Sequence, residues 1–588
     1  MRHAILFGAL AITMAGTAHA ECRPQPLPAE ARATVTLDGE HLTIEQVVAV
    51  ARGRARVAVA PAARKRMDET FALMMQGAAE GVPIYLFNRA PGSGRETPTF
   101  TGDPMGPENR PRLEARVLAQ FQNGANAGVG PEVAGEDKIR ANMLVRANGM
   151  TFLPASPQLL QGLVDLLNAG VTPVARTIGG TGEADGPIVG NVNGVLVGRG
   201  EAWFGGCRMP AADALAAAGL KPIAPAPGDG TVSTTNADYT AQAALLVADA
   251  RRLLDWADLI YAMELNGMNS SVTPLFMPVQ RHRPYKWLNW QAARTLGMIR
   301  GSYLFGEDPA RIIQDPESLR ASAIRQGSAW LAWARLAETV SIAINGSDHN
   351  PAVVAGLKPD DAWELNTPQA LRYRITGATA AGRRTGYIFS NANWDPYPLD
   401  NDVEAFTIAL ANMDVAVNQR LDRFNNSFFT VIRPTDVIAD LPRTPGLAAG
   451  GFAPQGNAKV STDLWQEIQG LAVPVAPAGH AIIATVEDLQ AQTRLKIARA
   501  DTAIDRSFDL LAQNLLTASF WLDVRKAQDP GRAFGPGPTA AWAAFRARLP
   551  FRGAVPDGRS PFAVAGGFVR EVPAAGLMPA GPAMPDGR

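Results

Sequence analysis

The sequence is poor in the two residue types that most often hold metals. Its 588 residues include only two cysteines and six histidines. Two cysteines cannot build a cysteine-rich zinc site or a dense disulfide scaffold, so we expect no metal centre of that kind. The two residues, Cys22 and Cys207, leave two states open, one disulfide or two free thiols.

An excess of charge of either sign is also absent. The chain has 55 lysines and arginines against 55 aspartates and glutamates, and the basic residues form no block. Because nucleic-acid binding needs a concentrated basic surface, this balance argues against a nucleic-acid partner. With 47% hydrophobic and 19% charged residues, the composition is typical of a folded globular protein rather than a disordered one.

Long hydrophobic runs are missing after the N-terminal leader. Residues 1–20 begin with Arg2, continue with an apolar run over residues 4–15 and end in the small-x-small site Ala18-His19-Ala20. This order predicts a Sec-type signal peptide, and the run is too short for the alternative, a membrane anchor. We therefore expect cleavage near Glu21 and a periplasmic or secreted mature protein that does not span a membrane.

The two halves of the chain have different patterns. In the first half, a strand is predicted around residues 35–37, an amphipathic helix from Thr43 and a hairpin over residues 192–200, with Gly- and Pro-rich loops between. In the second half, apolar residues recur at the i, i+3, i+4, i+7 spacing of helices. The segments with this spacing are 239–263, 321–344, 401–428, 464–473 and 486–528.

These patterns predict a mainly α protein with four parts. Residues 1–20 are the signal peptide, and residues 21–220 form a smaller mixed N-terminal domain that contains the Tyr85 loop and the Gly-Thr-Gly turn. Residues 221–545 form a long-helix bundle. Residues 546–588 are a Pro/Gly-rich tail, predicted to be extended or disordered.

Five residues stand in settings that suit chemistry, although each also has a plain structural role. Tyr85 opens a Gly/Pro loop, where it would serve as a general base or, alternatively, as a packed aromatic. Thr181 lies in the turn Gly180-Thr181-Gly182, whose spacing does not match a phosphate-binding loop. Asn236 precedes a long helix, which suits a cap. Arg320 suits a bidentate grip on a carboxylate, and Glu467, within an apolar helix, needs a partner or a function.

These residues are part of a longer series of motifs in a fixed order. The series is Tyr85 with Asn88, Gly92 and Gly94, then residues 140–148, 167–174, 198–203, 209–222, 228–236, 314–320, 348–351 and 393–395, and Glu467. It resembles the aromatic amino acid ammonia-lyase family, which comprises histidine, phenylalanine and tyrosine ammonia-lyases and aminomutases. No single motif is intact, and the resemblance spans about residues 35–530.

The resemblance implies a fold, an assembly and a set of site residues. The expected fold is an ammonia-lyase-like long-helix bundle in a homotetramer, in which three subunits line each active site. By their positions in the family motifs, Tyr85 is the expected general base, and Thr181, Asn236 and Glu467 are the other catalytic candidates. The expected substrate-binding residues are Asn88, Glu317, Arg320, Asn345, Asn393, Trp394 and Asp395.

The turn at residues 180–182 departs from the family pattern. The family forms its electrophile, a methylidene-imidazolone (MIO), by cyclising an internal Ala-Ser-Gly, whereas this chain has Gly180-Thr181-Gly182. A cyclised threonine would carry a methyl group on the attacked carbon, and the carboxylates of Glu183 and Asp185 would oppose negative charge developing nearby. We therefore expect no cofactor; the alternative is an MIO-like group made from Gly180, Thr181 and Gly182.

The remaining departures favour a cationic substrate. They add the carboxylates of Glu317, Asp395 and Glu467 and the indole of Trp394, which attract ammonium groups. A substrate whose leaving group is already a trialkylammonium needs no MIO, as in the ergothionase branch of the superfamily. We expect a periplasmic lyase that eliminates ammonia or an amine from an amino-acid-like or cationic small molecule. The alternatives are an MIO-type ammonia-lyase or aminomutase, a glycosidase with paired carboxylates, and a non-catalytic binding protein.

Overall fold

The computed structural model of the chain describes most of the sequence. The described residues are 22–25, 33–182, 184, 186–378, 383–424, 426–430, 454–477, 479–483, 486–551 and 558–585. The predicted signal peptide and the two carboxylates next to the Gly-Thr-Gly turn, Glu183 and Asp185, lie outside the described residues.

Helices dominate the structure, which confirms the predicted mainly α fold. Within the described residues the helices, numbered α1 to α19 in chain order, are Ile44–Ala51, Pro61–Ala79, Arg110–Gly124, Glu136–Met150, Pro157–Ala169, Gly186–Leu196, Ala211–Ala217, Ala237–Met268, Met277–Gln280, Lys286–Met298, Glu317–Arg320, Ser322–Ala343, Pro368–Leu371, Tyr397–Arg423, Ser427–Thr430, Pro454–Leu471, Thr493–Gln528, Pro536–Arg548 and Pro561–Glu571.

The strands are short and form small separate sheets. In the part of the chain that the structure describes, strands β1 to β10 are Thr34–Leu37, Arg56–Val59, Val129–Glu132, Thr172–Pro173, Arg176–Ile178, Glu201–Phe204, Cys207–Pro210, Ala352–Ala355, Arg374–Ile375 and Gly386–Phe389. β1 and β2 pair in parallel, and β3 pairs with β5 in antiparallel fashion. β4–β6–β7 and β8–β10–β9 are three-stranded antiparallel sheets.

Four long helices, α8, α12, α14 and α17, form the centre of the bundle and pack against one another. Trp256 on α8, Trp330 on α12 and Trp521 on α17 are fully buried there. Truncating a buried tryptophan of this kind costs about 3–5 kcal/mol, so these indoles are major contributors to the stability of the bundle. The same hydrophobic core extends to Val47 and Leu144 of the N-terminal part, so both predicted domains share it.

A buried ion pair connects these four helices. Glu264 on α8 and Arg420 on α14 are completely shielded from solvent and form a salt bridge through the Arg420 Nε atom. Asn514 on α17 donates to the other carboxylate oxygen at 2.6 Å, and Arg420 Nη1 donates to the hydroxyl of Ser322 on α12 at 2.6 Å. Hydrogen bonds to both charged groups compensate part of their desolvation.

Within the N-terminal part, a helix cap begins α1 and a disulfide holds the first described residues. The Thr43 hydroxyl caps α1 by accepting from the Gln46 backbone N–H at 3.2 Å. The Gln46 side-chain oxygen accepts in turn from the Thr43 backbone N–H, which completes a capping box. Cys22 and Cys207 form a disulfide. Of the two alternatives that the sequence left open, a disulfide or two free thiols, the structure has the disulfide. The chain beside it is also held by a hydrogen bond from the Gln25 amide to the Gly205 carbonyl at 3.0 Å.

Two predictions for the secondary structure are wrong. Residues 192–200 were expected to form a hairpin, but α6 runs through Leu196, and the hairpin is β6–β7 further on. Two glycines of α6 are close contacts with the end of α3, since a Cβ at Gly190 would lie 2.8 Å from the Gly124 carbonyl and one at Gly194 would lie 2.5 Å from the Ala125 Cβ. The second wrong prediction is the extended or disordered tail. It contains helix α19, because Val564, Ala565 and Phe568 are spaced to bury one apolar face.

A helix overlaps each predicted segment, but the ends differ, since α16 begins at Pro454 rather than at 464 and α14 ends at Arg423 rather than at 428. The segment predicted as helical over residues 486–528 becomes helical only at Thr493, and the residues before it form a turn. None of the helices in the described residues combines the length and the apolar character that crossing a bilayer requires. Among the same residues, no cluster of His, Cys, Asp and Glu has an arrangement suited to a metal ion.

Candidate active site

A cavity of about 740 Å³ is lined by several segments of the chain, of which four carry most of the lining residues. The first is the loop of Tyr85, and the second is the turn that contains Thr181. The third runs along β10 to Trp394, and the fourth is the turn around Ile483 that precedes α17. The cavity is large enough for an amino-acid-sized ligand.

Main-chain contacts fix the loop of Tyr85. The amide of buried Asn88 bridges the loop, because its Oδ1 accepts from the Ile84 N–H at 2.7 Å and its Nδ2 donates to the Val82 carbonyl at 2.8 Å. The Gly92 N–H donates to the Tyr85 hydroxyl oxygen at 3.1 Å. Leu86, directly after the tyrosine, has a φ of +62°, a left-handed conformation that costs a leucine energy and marks a constrained turn.

The Gly-Thr-Gly turn rests on the first residues of α17. Gly182 has a φ of +90°, and a Cβ there would lie 2.4 Å from the Gln492 nitrogen, so only glycine fits. The Gly182 carbonyl accepts from the Thr493 hydroxyl at 2.9 Å. Thr181, also left-handed at a φ of +51°, is exposed and lines the cavity together with Gly180.

Asn236 joins two walls of the cavity. Its Oδ1 accepts from the Ala184 N–H at 2.8 Å, and its Nδ2 donates to the Trp394 carbonyl. Its side chain makes no capping hydrogen bond to α8, so the expected plain role as a cap is not the one it has. Asn236 instead holds the turn of Thr181 and the segment of Trp394 together.

The buried carboxylate of Asp348 holds the backbone at Asn236. Asp348 Oδ2 accepts from the Asn236 N–H at 2.5 Å and from the Thr235 hydroxyl at 2.8 Å. Burial raises the pKa of Asp348, and Arg146, whose own pKa burial lowers to about 10, offsets part of that effect. His349 is also buried, and this lowers its pKa to about 4, so it is neutral at physiological pH.

The charges that line the cavity are not mainly acidic. Among the described lining residues, three are basic (Arg89, Arg95 and Arg372) and two are acidic (Glu96 and Glu487). The acid-rich pocket expected from the sequence is therefore not found within one protomer of the described structure. The aromatic component is present, since Tyr85, Tyr373 and Trp394 all line the cavity.

The charged residues Glu317, Arg320 and Glu467 lie outside this cavity in the protomer. The Glu317 side chain is 85% exposed, and Arg320 Nη2 donates to it at 3.4 Å while Arg320 Nε donates to the Asp315 carbonyl at 3.1 Å. Glu467 forms an exposed ion pair with Arg506 at 2.5 Å. No two of the three predicted residues Tyr85, Arg320 and Glu467 meet within one chain.

Three further predicted residues make local contacts. Asn345 Oδ1 accepts from the Leu42 N–H at 2.7 Å and its Nδ2 donates to the Leu42 carbonyl at 2.8 Å, which ties α12 to the start of α1. The backbone N–H of exposed Asn393 donates to Asn391 Oδ1 at 2.9 Å. Asp395 Oδ1 accepts from the Tyr397 N–H at 3.0 Å, at the beginning of α14.

The predicted site missed the arginines and the segment before α17. Arg89 stands within the Tyr85 loop, and its charge in a Gly/Pro loop was a signal that went unused. Arg372, Ile483 and Glu487 had no such signal, because only the folded chain brings them to the cavity. Their neighbours in sequence carry no motif of the family series.

The comparisons with known proteins agree with this architecture. Residues 42–547 match the family described as aromatic amino acid lyase. The chain belongs to this family. It is 27% identical to a histidine ammonia-lyase of Stigmatella aurantiaca, covering 88% of this chain and 93% of that one. It is 28% identical to a histidine ammonia-lyase of Gloeobacter violaceus, covering 85% of this chain and 89% of the relative.

Solved structures share the fold of this aromatic amino acid lyase. Ergothionase of Treponema denticola, described as an ergothioneine-degrading enzyme, matches with a TM-score of 0.76 at 23% identity, covering 91% of this chain and 98% of that one. A histidine ammonia-lyase of Trypanosoma cruzi matches with a TM-score of 0.73 at 17% identity, covering 93% and 96%. The protein is a carbon–nitrogen lyase of the ammonia-lyase type, as the motif series predicted.

Proposed function

We propose that this lyase removes ammonia or an amine from an amino-acid-like substrate with Tyr85 as the general base and without an intact MIO. The observation that carries the proposal is the common cavity of Tyr85, Thr181 and Trp394, two walls of which Asn236 holds together. The similarity to ergothionase, an ergothioneine-degrading enzyme, supports elimination of an amine rather than only of ammonia.

Tyr85, which lines the cavity, would take a proton from a ligand bound there. Its oxygen accepts a hydrogen bond from the Gly92 N–H, and this donor remains a good partner after the hydroxyl has lost its own proton. In the elimination, the base takes the proton from the carbon next to the amine-bearing carbon. The C–H electrons form the double bond, the C–N bond breaks, and its electron pair leaves with the amine. Trp394 offers an aromatic face to a cationic amine.

The residues present do not fit the family's electrophile. The turn retains a β-hydroxyl residue and the glycine that the close contact with Gln492 requires. Thr181, however, bears a methyl group on the carbon that a nucleophile would attack, and this crowding opposes addition. For this reason no step of the elimination proposed above involves an MIO. A leaving group that is already a trialkylammonium departs without such activation.

A second candidate is an MIO-type ammonia-lyase or aminomutase, because Thr181 keeps the hydroxyl that dehydration would consume and faces the cavity. Intact-protein mass spectrometry separates the two candidates. We expect the measured mass to equal the mass calculated from the sequence of the mature chain. Cyclisation and dehydration of residues 180–182 would lower the mass by two waters. A Thr181→Val variant is the matched control, since it has no hydroxyl to lose.

The test of the base is a comparison of two tyrosine variants. We expect Tyr85→Phe to lower kcat by about 10²–10⁴-fold, the usual contribution of a general base. Tyr397→Phe, an exposed tyrosine that does not line the cavity, is the control and should keep wild-type activity. The substrate is found by screening amino acids and their N-trimethylated forms for release of ammonia or trimethylamine. Full activity of Tyr85→Phe would contradict the proposal.

We also propose a homotetramer in which neighbouring subunits complete each site. Glu317 and Arg320 lie away from the cavity of their own chain, and nearby Ile313 is 98% exposed, which suits a surface covered by another subunit. Arg320 would then hold the substrate carboxylate from a second subunit. Light scattering should give four times the chain mass, and Ile313→Asp should reduce that mass. A monomeric, fully active wild type would refute the assembly.

The proposed location is the periplasm. The leader over residues 1–20 supports export, and the Cys22–Cys207 disulfide suits an oxidising compartment. Cell fractionation followed by N-terminal sequencing should find the mature chain outside the cytoplasm and beginning near Glu21. A cytoplasmic chain that still begins at Met1 would contradict this location.

A further inference from the structure

Three guanidinium groups line the cavity without a carboxylate partner. Among the described residues, Arg89, Arg95 and Arg372 form no ion pair. Elsewhere in the protein, partly buried Arg294 is neutralised by Asp255 and Asp258. Arg89 is partly buried, whereas Arg95 and Arg372 are exposed at the cavity, so all three are available to a ligand that provides negative charge.

The contacts of these arginines orient them but do not neutralise them. Arg89 Nη1 donates to the Asn88 carbonyl at 3.2 Å, and Arg95 Nη1 donates to the Gly92 carbonyl at 3.3 Å. Each guanidinium has five N–H donors, so most of them remain for a ligand. The guanidinium of Arg372 lies 5.7 Å from the ring centre of Tyr373.

Arg89 and Arg95 belong to the same fixed loop as the proposed base. The Arg89 backbone donates to the Ile84 carbonyl at 3.0 Å and forms a β-bridge with Pro98. The positions of the two arginines relative to Tyr85 are therefore set by the fold of one short segment. A group bound to them would be held next to the hydroxyl of Tyr85 at the same wall of the cavity.

We propose that the substrate carries a second anionic group, a carboxylate, sulfonate or phosphate, and that Arg89 and Arg95 bind it. This inference rests on the proposed function, in which Arg320 of another subunit holds the α-carboxylate. Planar guanidinium groups bind such oxyanions with two parallel hydrogen bonds, which gives orientation as well as attraction. Glu96 and Glu487 on the same lining offer opposite charge to the departing ammonium group.

Calorimetry with matched ligand pairs tests the inference on the full-length mature protein. The charged ligands are O-phospho-L-serine, L-cysteate and L-glutamate, and the neutral counterparts are L-serine for the first two and L-glutamine for the third. We expect at least one charged ligand to bind at least tenfold more tightly than its counterpart, and the best of the three identifies the anion. Equal binding within all three pairs would overturn the inference.

Variants assign the effect to the loop arginines. Arg89→Gln and Arg95→Gln should each weaken the charged ligand about tenfold or more and leave the neutral one unchanged, while Arg89→Lys should retain part of the preference. Arg116→Gln, an exposed arginine of α3 that does not line the cavity, is the control. Wild-type affinity in both glutamine variants would overturn the inference, and unchanged circular dichroism excludes misfolding as the cause of a loss.

The two proposals fail in different ways. If the anion preference follows Arg89 but no substrate releases an amine, the elimination by Tyr85 is wrong and the anion site stands. If amine release depends on Tyr85 but neutral and charged substrates react with equal kcat/KM, the anion site is wrong and the elimination stands. Binding and turnover are therefore measured on the same wild-type and variant preparations.

Discussion

The buried pair of Glu264 and Arg420 gives the sharpest prediction for stability. Both side chains are completely buried, so removing one partner leaves an uncompensated charge in the core. We expect Glu264→Leu to lower the free energy of unfolding by about 3–5 kcal/mol, and Arg420→Met to do the same. If the two effects were independent, the double variant would lose about 6–10 kcal/mol.

The double variant should instead recover most of the loss. Two apolar side chains of similar size need no desolvation, so we expect it within about 2 kcal/mol of the wild type and a coupling of at least about 4 kcal/mol. Urea unfolding followed by tryptophan fluorescence, at one fixed protomer concentration, measures each value. The control pair is exposed Lys65–Glu69, worth about 0.3 kcal/mol. A double variant that loses the full sum would refute the reasoning.

Three further predictions follow from other contacts. Gly182→Ala should lower the melting temperature more than Gly219→Ala. Both glycines have a positive φ, but of the two only Gly182 has other atoms within 4 Å of an added Cβ. Equal decreases in melting temperature would contradict this prediction. Burial raises the pKa of Asp414 from 3.8 to about 7, so its contribution to stability should fall as pH rises from about 4 to 7. Asp414→Asn should reduce the slope of stability against pH, and a slope equal to that of the wild type would contradict this assignment. Cys22→Ser and Cys207→Ser should each cost about 2–4 kcal/mol, with no further effect of reductant on either variant.

Much of the fold could be predicted because helical periodicity and caps are local properties. The apolar spacing located α8, α12 and α14, and the Thr43 cap located the start of α1. The prediction failed where a glycine could serve either of two structural roles, a turn or a close contact between helices. In α6, Gly194 permits close contact with Ala125 at the end of α3 instead of making a turn, and nothing in its own segment distinguishes these uses.

The candidate site was predictable where a motif carries it and not where the fold alone assembles it. Tyr85 and Thr181 stood out from their Gly-rich surroundings, and both line the cavity. Arg372 and Glu487 reach the same cavity from segments without any motif. Arg320 belongs to a motif but lies outside this cavity in its own chain, and nothing in the motif itself shows this.

The contact between the Gly-Thr-Gly turn and Thr493 has a consequence for directed evolution. Thr493 is the first residue of α17, whose 36 residues extend for about 54 Å through the bundle. A helix transmits a small axial displacement along its whole length, so a repacked residue far along α17 would move the turn without touching the cavity. Selections for altered substrate preference should therefore recover changes throughout this helix, and libraries restricted to cavity residues would miss them.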